Sequence, residues 1–147
     1  MNIHPMTENY LEQVASLEVC CFSKPWSREA LKEELGNPQA VFLVAEEKGE
    51  VLGYIGMHVV FGEGYMDNLA VFPHARRKGV GKNLVETLIA WLKQHDGLFL
   101  TLEVRLSNQA AISLYQSLGF EEAGRRPRFY QEPVEDALLM TLTLRNQ

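Results

Sequence analysis

Three groups of residues carry types and spacings able to do chemistry. The first is Arg76-Arg77-Lys78-Gly79-Val80-Gly81-Lys82, which follows the apolar run Asn68 to Phe72 and Pro73. Four of the 14 basic residues fall within these seven positions, in a chain of net charge -5. A strand that feeds a helix through glycines leaves backbone N–H groups free at the positive end of the helix dipole. The expected chemistry is local anion binding rather than a general attraction to nucleic acid. The second is Glu103, in Leu102-Glu103-Val104-Arg105. Alternation puts Leu100, Leu102 and Val104 on one face of a strand, and Thr101, Glu103 and Arg105 on the other. On an open face Glu103 is a plain solvated charge. On a strand covered on both sides it needs a cleft, a partner or a task, and proton transfer is such a task. The third is Tyr115, on the apolar stripe of a helix that Asn108 can cap. Most such tyrosines are core residues, but a buried hydroxyl still needs a partner.

Several other chemistries fail on residues. A Walker phosphate loop ends Gly-Lys-Ser/Thr, and Gly81-Lys82-Asn83 lacks the hydroxyl. A dinucleotide fingerprint needs three spaced glycines near the first strand, and this loop lies mid-chain with two. His4, His58, His74 and His95 are scattered, with no pair at metal-ligand spacing, so no metal is expected. There is no Gly-x-Ser-x-Gly elbow. Cys20 and Cys21 are adjacent, which disfavours a disulfide, and they lie far upstream of the other candidates. No covalent nucleophile is expected.

The elements that must position these residues follow from periodicity. Met1 to Met6 reads as a strand. Thr7 can cap a helix to about Phe22, with Leu11, Val14, Leu17 and Cys21 on one face. Ser27 can cap a second helix carrying Leu31 and Leu35. Val41 to Glu46 and Val51 to Phe61 form a hairpin, and Gly53 and Gly56 suggest a bulge or a close backbone approach. Gly62-Glu63-Gly64 turns into the strand before the basic loop. Lys82 to His95 is an amphipathic helix with Leu84, Val85, Leu88, Ile89 and Leu92 inward. Leu98 to Arg105 is a strand, and Asn108 to Leu118 a helix with Ala111, Leu114, Tyr115 and Leu118 inward. Phe120 to Gly124 and Asp136 to Leu144 are strands, with Arg125 to Pro133 as a loop between them. The fold class is α/β, a mixed central sheet flanked by helices, in one domain of residues 1–147.

The pattern Arg76-x-x-Gly79-x-Gly81, after Ala70-Val71-x-Pro73, resembles the acetyl-CoA signature of the GCN5-related N-acetyltransferases. Asn68-Leu69-Ala70-Val71, LEVRLSNQAAISLYQSLGF, Arg126 through Tyr130, Glu135 through Met140 and Pro25-Trp26-Ser27 extend the likeness. Together they are similar to the RimI-type ribosomal-protein-alanine N-acetyltransferases over nearly the whole chain. The resemblance implies the N-acetyltransferase fold, with acetyl-CoA as cosubstrate. It implies a pyrophosphate cradle at Arg77, Lys78, Gly79, Val80, Gly81 and Lys82. It implies main-chain pairing with the pantetheine arm at Leu69, Ala70 and Val71, and a further contact at Asn108. Glu103 is then the base that takes a proton from the attacking amine, and Tyr115 the acid that protonates the departing thiolate. The implied acceptor is the N-terminal alanine of small-subunit ribosomal protein eighteen. One segment departs from the family's Arg-x-Asn-Tyr-Tyr: here it reads Arg126-Pro127-Arg128-Phe129-Tyr130. Acceptor choice is therefore where the resemblance transfers least.

Three functions compete. The first is acetyl transfer to a protein N-terminus, on ribosomal protein eighteen or more broadly. The second is acetyl transfer to a small amine such as a polyamine or an antibiotic. The third is a sensor that binds acetyl-CoA without chemistry, against which Glu103 and Tyr115 count. Composition adds a cytoplasmic setting: the cysteine usage suits a reducing compartment, and no apolar run approaches 18 residues. No nucleic-acid or membrane partner is expected, and the chain reads as a monomer or weak dimer.

Overall fold

The computed structural model describes residues 1–145, so the last two residues of the expected domain lie outside the described ones. Strands and helices follow as β1 (Asn2–Pro5), α1 (Leu11–Cys21), α2 (Arg28–Leu35), β2 (Ala40–Glu47), β3 (Glu50–Val60), β4 (Glu63–Val71), α3 (Val80–Gln94), β5 (Phe99–Arg105), α4 (Gln109–Ser117), β6 (Glu121–Tyr130) and β7 (Glu135–Thr143). They build one sheet of order β1-β2-β3-β4-β5-β7-β6. Among the described residues only β4 and β5 pair in parallel, and the amphipathic α3 makes the crossover that a parallel pair requires. The expected mixed sheet with flanking helices is the architecture observed.

Two apolar layers cover the sheet. On one face α3 and α4 pack Leu84, Val85, Leu88, Leu92, Ile112 and Tyr115 against Leu100, Leu102 and Val104 of β5. Leu84, Leu88 and Leu92 are fully buried. Each contributes about 1.5–3 kcal/mol relative to exposure, so α3, and with it the helix start at Val80, is firmly placed. On the other face Leu11, Val14, Leu17 and Leu31 of α1 and α2 pack on Phe42, Val44, Tyr54 and Ala70. The strand members of that layer come from β2, β3 and β4, which leaves the Glu103 face of β5 beside a cleft.

Two irregularities shape that cleft. The β4–β5 ladder holds three pairs, Glu63–Phe99, Gly64–Leu100 and Tyr65–Thr101, and the strands part beyond them. In the β3–β4 ladder Gly56 pairs with Asn68 and Met57 with Met66, so Asp67 is an extra residue in a bulge. Gly53, the first β3 residue paired with β4, meets Val71 where the chain leaves the strand. A Cβ there would lie 2.8 Å from the Ala70 carbonyl oxygen and 3.1 Å from Val80 Cγ1, so only glycine allows this approach.

Some boundaries differ from expectation. β6 runs to Tyr130, so Arg125 to Tyr130 is strand rather than loop. Arg126 pairs with Ala137 and Tyr130 with Glu135, with an irregularity between. An edge strand carrying exposed arginines lacks the apolar alternation that marks a strand in sequence. β4 begins at Glu63, ahead of the apolar run that announces it. α3 begins at Val80 rather than Lys82. A 3-10 turn over Glu8–Tyr10 precedes α1, and Thr7 makes no side-chain cap. Ser27 does cap α2, its Oγ accepting from the Ala30 N–H at 3.1 Å. In α4 Tyr115 is buried as expected, whereas Ala111, Leu114 and Leu118 are half-buried and Ile112 takes the inner place.

Candidate active site

The parting of β4 and β5 opens a cleft of about 620 Å³. Its walls are the end of α1 and the turn to Trp26, the bulge of β4, the outer half of β5, the start of α4, and the β6–β7 hairpin. Both catalytic candidates line it. Glu103 has a side chain only 5% exposed, and among the described residues its Oε2 has no hydrogen-bond donor. Arg126 Nε lies 3.0 Å from that oxygen but is not aligned to donate to it. Burial pushes the Glu103 carboxyl above the ordinary carboxylate range, and the Arg126 charge pulls it part of the way back. Tyr115 is 5% exposed, and its ring packs on Phe120. Its hydroxyl reaches only the thioether of Met66, at 3.9 Å, a weak acceptor that a stronger one can displace. Burial raises its pKa further.

The candidate cofactor residues separate into side chains and main chain. Leu69 lines the cleft, while Ala70 and Val80 bury their side chains in the two cores and can offer only backbone. Val71 is half-buried, and its carbonyl accepts from Arg76 Nε at 3.1 Å. Arg77, Lys78, Gly79 and Lys82 are exposed around the start of α3, and Gly81 is half-buried. Gly79 is the N-cap with φ 80°, and no side chain caps the helix start, so the first-turn N–H groups stay available to an anion. Asn108 caps α4, its Oδ1 accepting from the Ala111 N–H at 3.2 Å, and it also lines the cleft. A cosubstrate with a pyrophosphate and an extended amide-bearing arm fits this set. The uncapped helix start offers N–H groups to an anion, and the β4 edge left unpaired beyond Tyr65 offers main-chain partners to an arm. Among the described residues no group of three or more His, Cys, Asp or Glu is placed to hold a metal ion.

The structure adds residues the sequence did not single out. Glu18 is fully buried at the floor. It accepts from the Trp26 N–H (2.8 Å), the Tyr54 hydroxyl (2.5 Å) and Asn68 Nδ2 (3.0 Å). Burial raises its pKa, and the three donors pull it back. The sequence signal was a carboxylate on the stripe Leu11, Val14, Leu17 of α1. Asp67 lines the cleft and is hydrogen-bonded to His58 Nδ1, whose Nε2 lies 2.8 Å from Glu34 of α2. Cys21, far upstream in sequence, lines the cleft too. Its thiol lies 3.7 Å from the Val71 carbonyl and 3.5 Å from Arg76 Nη2, and burial pushes its pKa up. Arg105, expected on a polar face, holds the β6–β7 hairpin. It donates to the carbonyls of Pro133 and Gln131, both at 2.9 Å, pairs with Glu135 and stacks on Tyr130. Burial and the Glu103 charge push the Tyr130 hydroxyl up to about 12.

Comparison with known proteins gives four findings. Residues 11–120 match the Acetyltransferase (GNAT) family model. The ribosomal protein bS18-alanine N-acetyltransferase of Escherichia coli K12 is 38% identical over 122 residues, 82% of this chain and 82% of that protein. The crystal structure of the ribosomal-protein-S18-alanine N-acetyltransferase from Escherichia coli superposes with a TM-score of 0.90 at 32% identity, over 99% of this chain and 95% of that one. A fold neighbour from Salmonella typhimurium, yncA, was solved with acetyl-CoA. It has a TM-score of 0.85 at 21% identity, over 100% of this chain and 95% of that one.

Proposed function

The chain belongs to the GNAT acetyltransferase family, and on that premise we propose that it transfers acetyl from acetyl-CoA to the N-terminal alanine α-amine of ribosomal protein bS18. One observation carries the reading. A largely buried carboxylate, Glu103, whose Oε2 is near the Arg126 charge but accepts no hydrogen bond among the described residues, stands in the opening between β4 and β5, and a buried phenol, Tyr115, lines the same opening. The names of the Escherichia coli relatives support the acceptor.

Arg77, Lys78, Gly79, Val80, Gly81 and Lys82 hold the pyrophosphate, through side-chain charge at the rim and main-chain N–H groups at the helix start. The main chain of Leu69, Ala70 and Val71 pairs with the pantetheine amides, and an N–H there polarises the thioester carbonyl. Asn108 makes a further contact. Glu103 takes a proton from the acceptor ammonium, directly or through water. The amine attacks the thioester carbon, the C–N bond forms and the C–S bond breaks, and the Tyr115 hydroxyl gives its proton to the departing thiolate. An α-amine has an ordinary pKa of about 7.7–8.0, and a thiol of about 8.5. Deprotonating the amine is inexpensive near neutral pH, a thiolate leaves readily enough that help from the buried Tyr115 need only be modest, and orientation in a ternary complex supplies much of the rate. Residues 1–147 then work as one catalytic unit, in the cytoplasm, as a monomer or weak dimer, with no nucleic-acid or membrane partner.

Mass spectrometry of ribosomal proteins from cells with and without this enzyme tests the reading. The expected difference is one acetyl group, lost from the N-terminal alanine of bS18. In vitro, an alanine-start peptide should outrun polyamines and aminoglycosides. The reverse preference makes the protein a small-molecule acetyltransferase. Binding of acetyl-CoA with no transfer to any amine makes it a sensor.

A further inference from the structure

Glu103 does not face the opening alone. The β4–β5 ladder ends at Tyr65–Thr101, and two residues further along each strand stand Asp67 and Glu103, on either side of the parting. Met66 points into the α3–α4 core. Strict alternation would turn Asp67 away from that core and Asn68 back toward it. The bulge changes this. Asn68 reaches Glu18 and Tyr54 on the α1–α2 side, and Asp67 reaches His58, whose ring meets Phe42 of that same layer edge-on. Both side chains therefore stand on the face that carries Glu103, and all three line the cleft.

Asp67 is also held. His58 bridges it to Glu34, so the trio carries two carboxylates about one imidazole. Glu103 supplies the independent sign of a missing ligand: a side chain 5% exposed, lining the same cleft, with an oxygen that no described residue hydrogen-bonds. His58 is the basic group on Asp67, Lys24 lines the same cleft, and two arginines adjoin Glu103. Arg105 is committed to Glu135 and the hairpin carbonyls, and Arg126 meets Glu103 from a half-exposed position without aligning to it. Two carboxylates lining one cleft on the same face of the sheet suit a cation with several N–H donors.

We propose that Asp67 is a second acceptor-binding carboxylate, which contacts the ammonium of the incoming N-terminus and holds it against Glu103. His58 and Glu34 are positioning residues that fix the direction of the Asp67 carboxylate. The assignment rests on the acetyltransferase reading. It adds to that reading how a charged amine is captured before it gives up its proton, and it favours acceptors that arrive as ammonium ions.

The test measures binding of two peptides to the protein loaded with coenzyme A, which has no acetyl to transfer, at about pH 6.5, where an α-amine is charged. One peptide starts with alanine. The other carries a propionyl group in its place, the same shape without the amine. Wild type should prefer the first. Asp67→Asn should weaken the alanine peptide about 10- to 100-fold, the range for hydrogen bonds to charged groups, and leave the propionyl peptide unchanged. Asp67→Ser, smaller and neutral, serves the same comparison if the amide turns against His58. Equal losses for both peptides make the trio a purely structural clamp and overturn the proposal, as does an unchanged preference. Acetyl transfer by wild type to the alanine peptide is measured alongside. Its absence overturns the acetyltransferase reading itself, and its presence with unchanged discrimination overturns only the role of Asp67.

Discussion

Glu103 lies where burial and charge oppose each other. Desolvation raises its pKa and Arg126 lowers it. A base must be ionised to act, so kcat/KM should fall as pH drops through a pKa above the ordinary glutamate value. Arg126→Ala removes the opposing charge, and the acid limb of the pH–rate profile should move further up. Glu103→Gln should cut kcat by about 10²–10⁴, the usual worth of general acid–base catalysis, with acetyl-CoA affinity nearly intact. Unchanged turnover at neutral pH would remove Glu103 from the base role. Tyr115→Phe should cost less, about tenfold, because a thiolate is a fair leaving group unaided. Glu18 obeys a different logic. Its raised pKa means the folded state holds a proton at pH values where the unfolded chain has lost it. That contribution is fully present below the ordinary glutamate value and is lost as pH rises through the folded pKa. Glu18→Gln places an amide N–H among donors and should cost about 1–3 kcal/mol in urea unfolding. Its deficit against wild type should grow as pH is lowered from 7 toward 5.

At the level of elements, glycine 53 sets how closely β3 approaches the end of β4 and the start of α3. Gly53→Ala forces a Cβ against a backbone oxygen, which cannot yield as a side chain can. It should destabilise by about 1–3 kcal/mol and weaken acetyl-CoA binding as well, by shifting Val71 and Val80 together. A variant that loses stability but keeps cofactor affinity would separate this contact from the cradle. The elements bearing the base and the cradle were legible in the sequence because each has a strong period. α3 carries an unbroken apolar stripe, and β5 alternates cleanly. The outer part of β6, Arg125 to Tyr130, was not, because an edge segment written largely in arginines lacks apolar alternation. Asp67 could not be found either. The bulge that aims it is a difference in count between two strands, which no single strand displays. Cys21 shows a third limit: distance along the chain said nothing about its place in the cleft wall.

For the molecule as a whole, the proposed cradle places exposed basic residues on an acidic chain, and cofactor binding there is expected to be partly electrostatic. Acetyl-CoA affinity should fall as salt is raised from about 50 to 500 mM, and the slope should flatten in Arg77→Ala or Lys82→Ala. Ligand linkage gives a second measure. At about 100 times its dissociation constant acetyl-CoA should add about 2.7 kcal/mol, a rise in Tm on the order of 5–10 °C for a chain of this size. The opening between β4 and β5 has a consequence beyond binding. A sheet joined by three rungs at its middle is two half-sheets on a short hinge: β1 to β4 on one side, and β5, β7 and β6 on the other. In the proposed binding mode the cosubstrate's arm lies along the free edge of β4 and supplies rungs that the polypeptide leaves out. Amide hydrogen exchange should register this as a seam. In the free protein, β4 amides past Tyr65 that lack a β3 partner exchange early, and once acetyl-CoA is bound they slow toward the rate of their neighbours. By this account the substrate is for a time the missing piece of the protein's own secondary structure, and each round of catalysis ends by taking it out again.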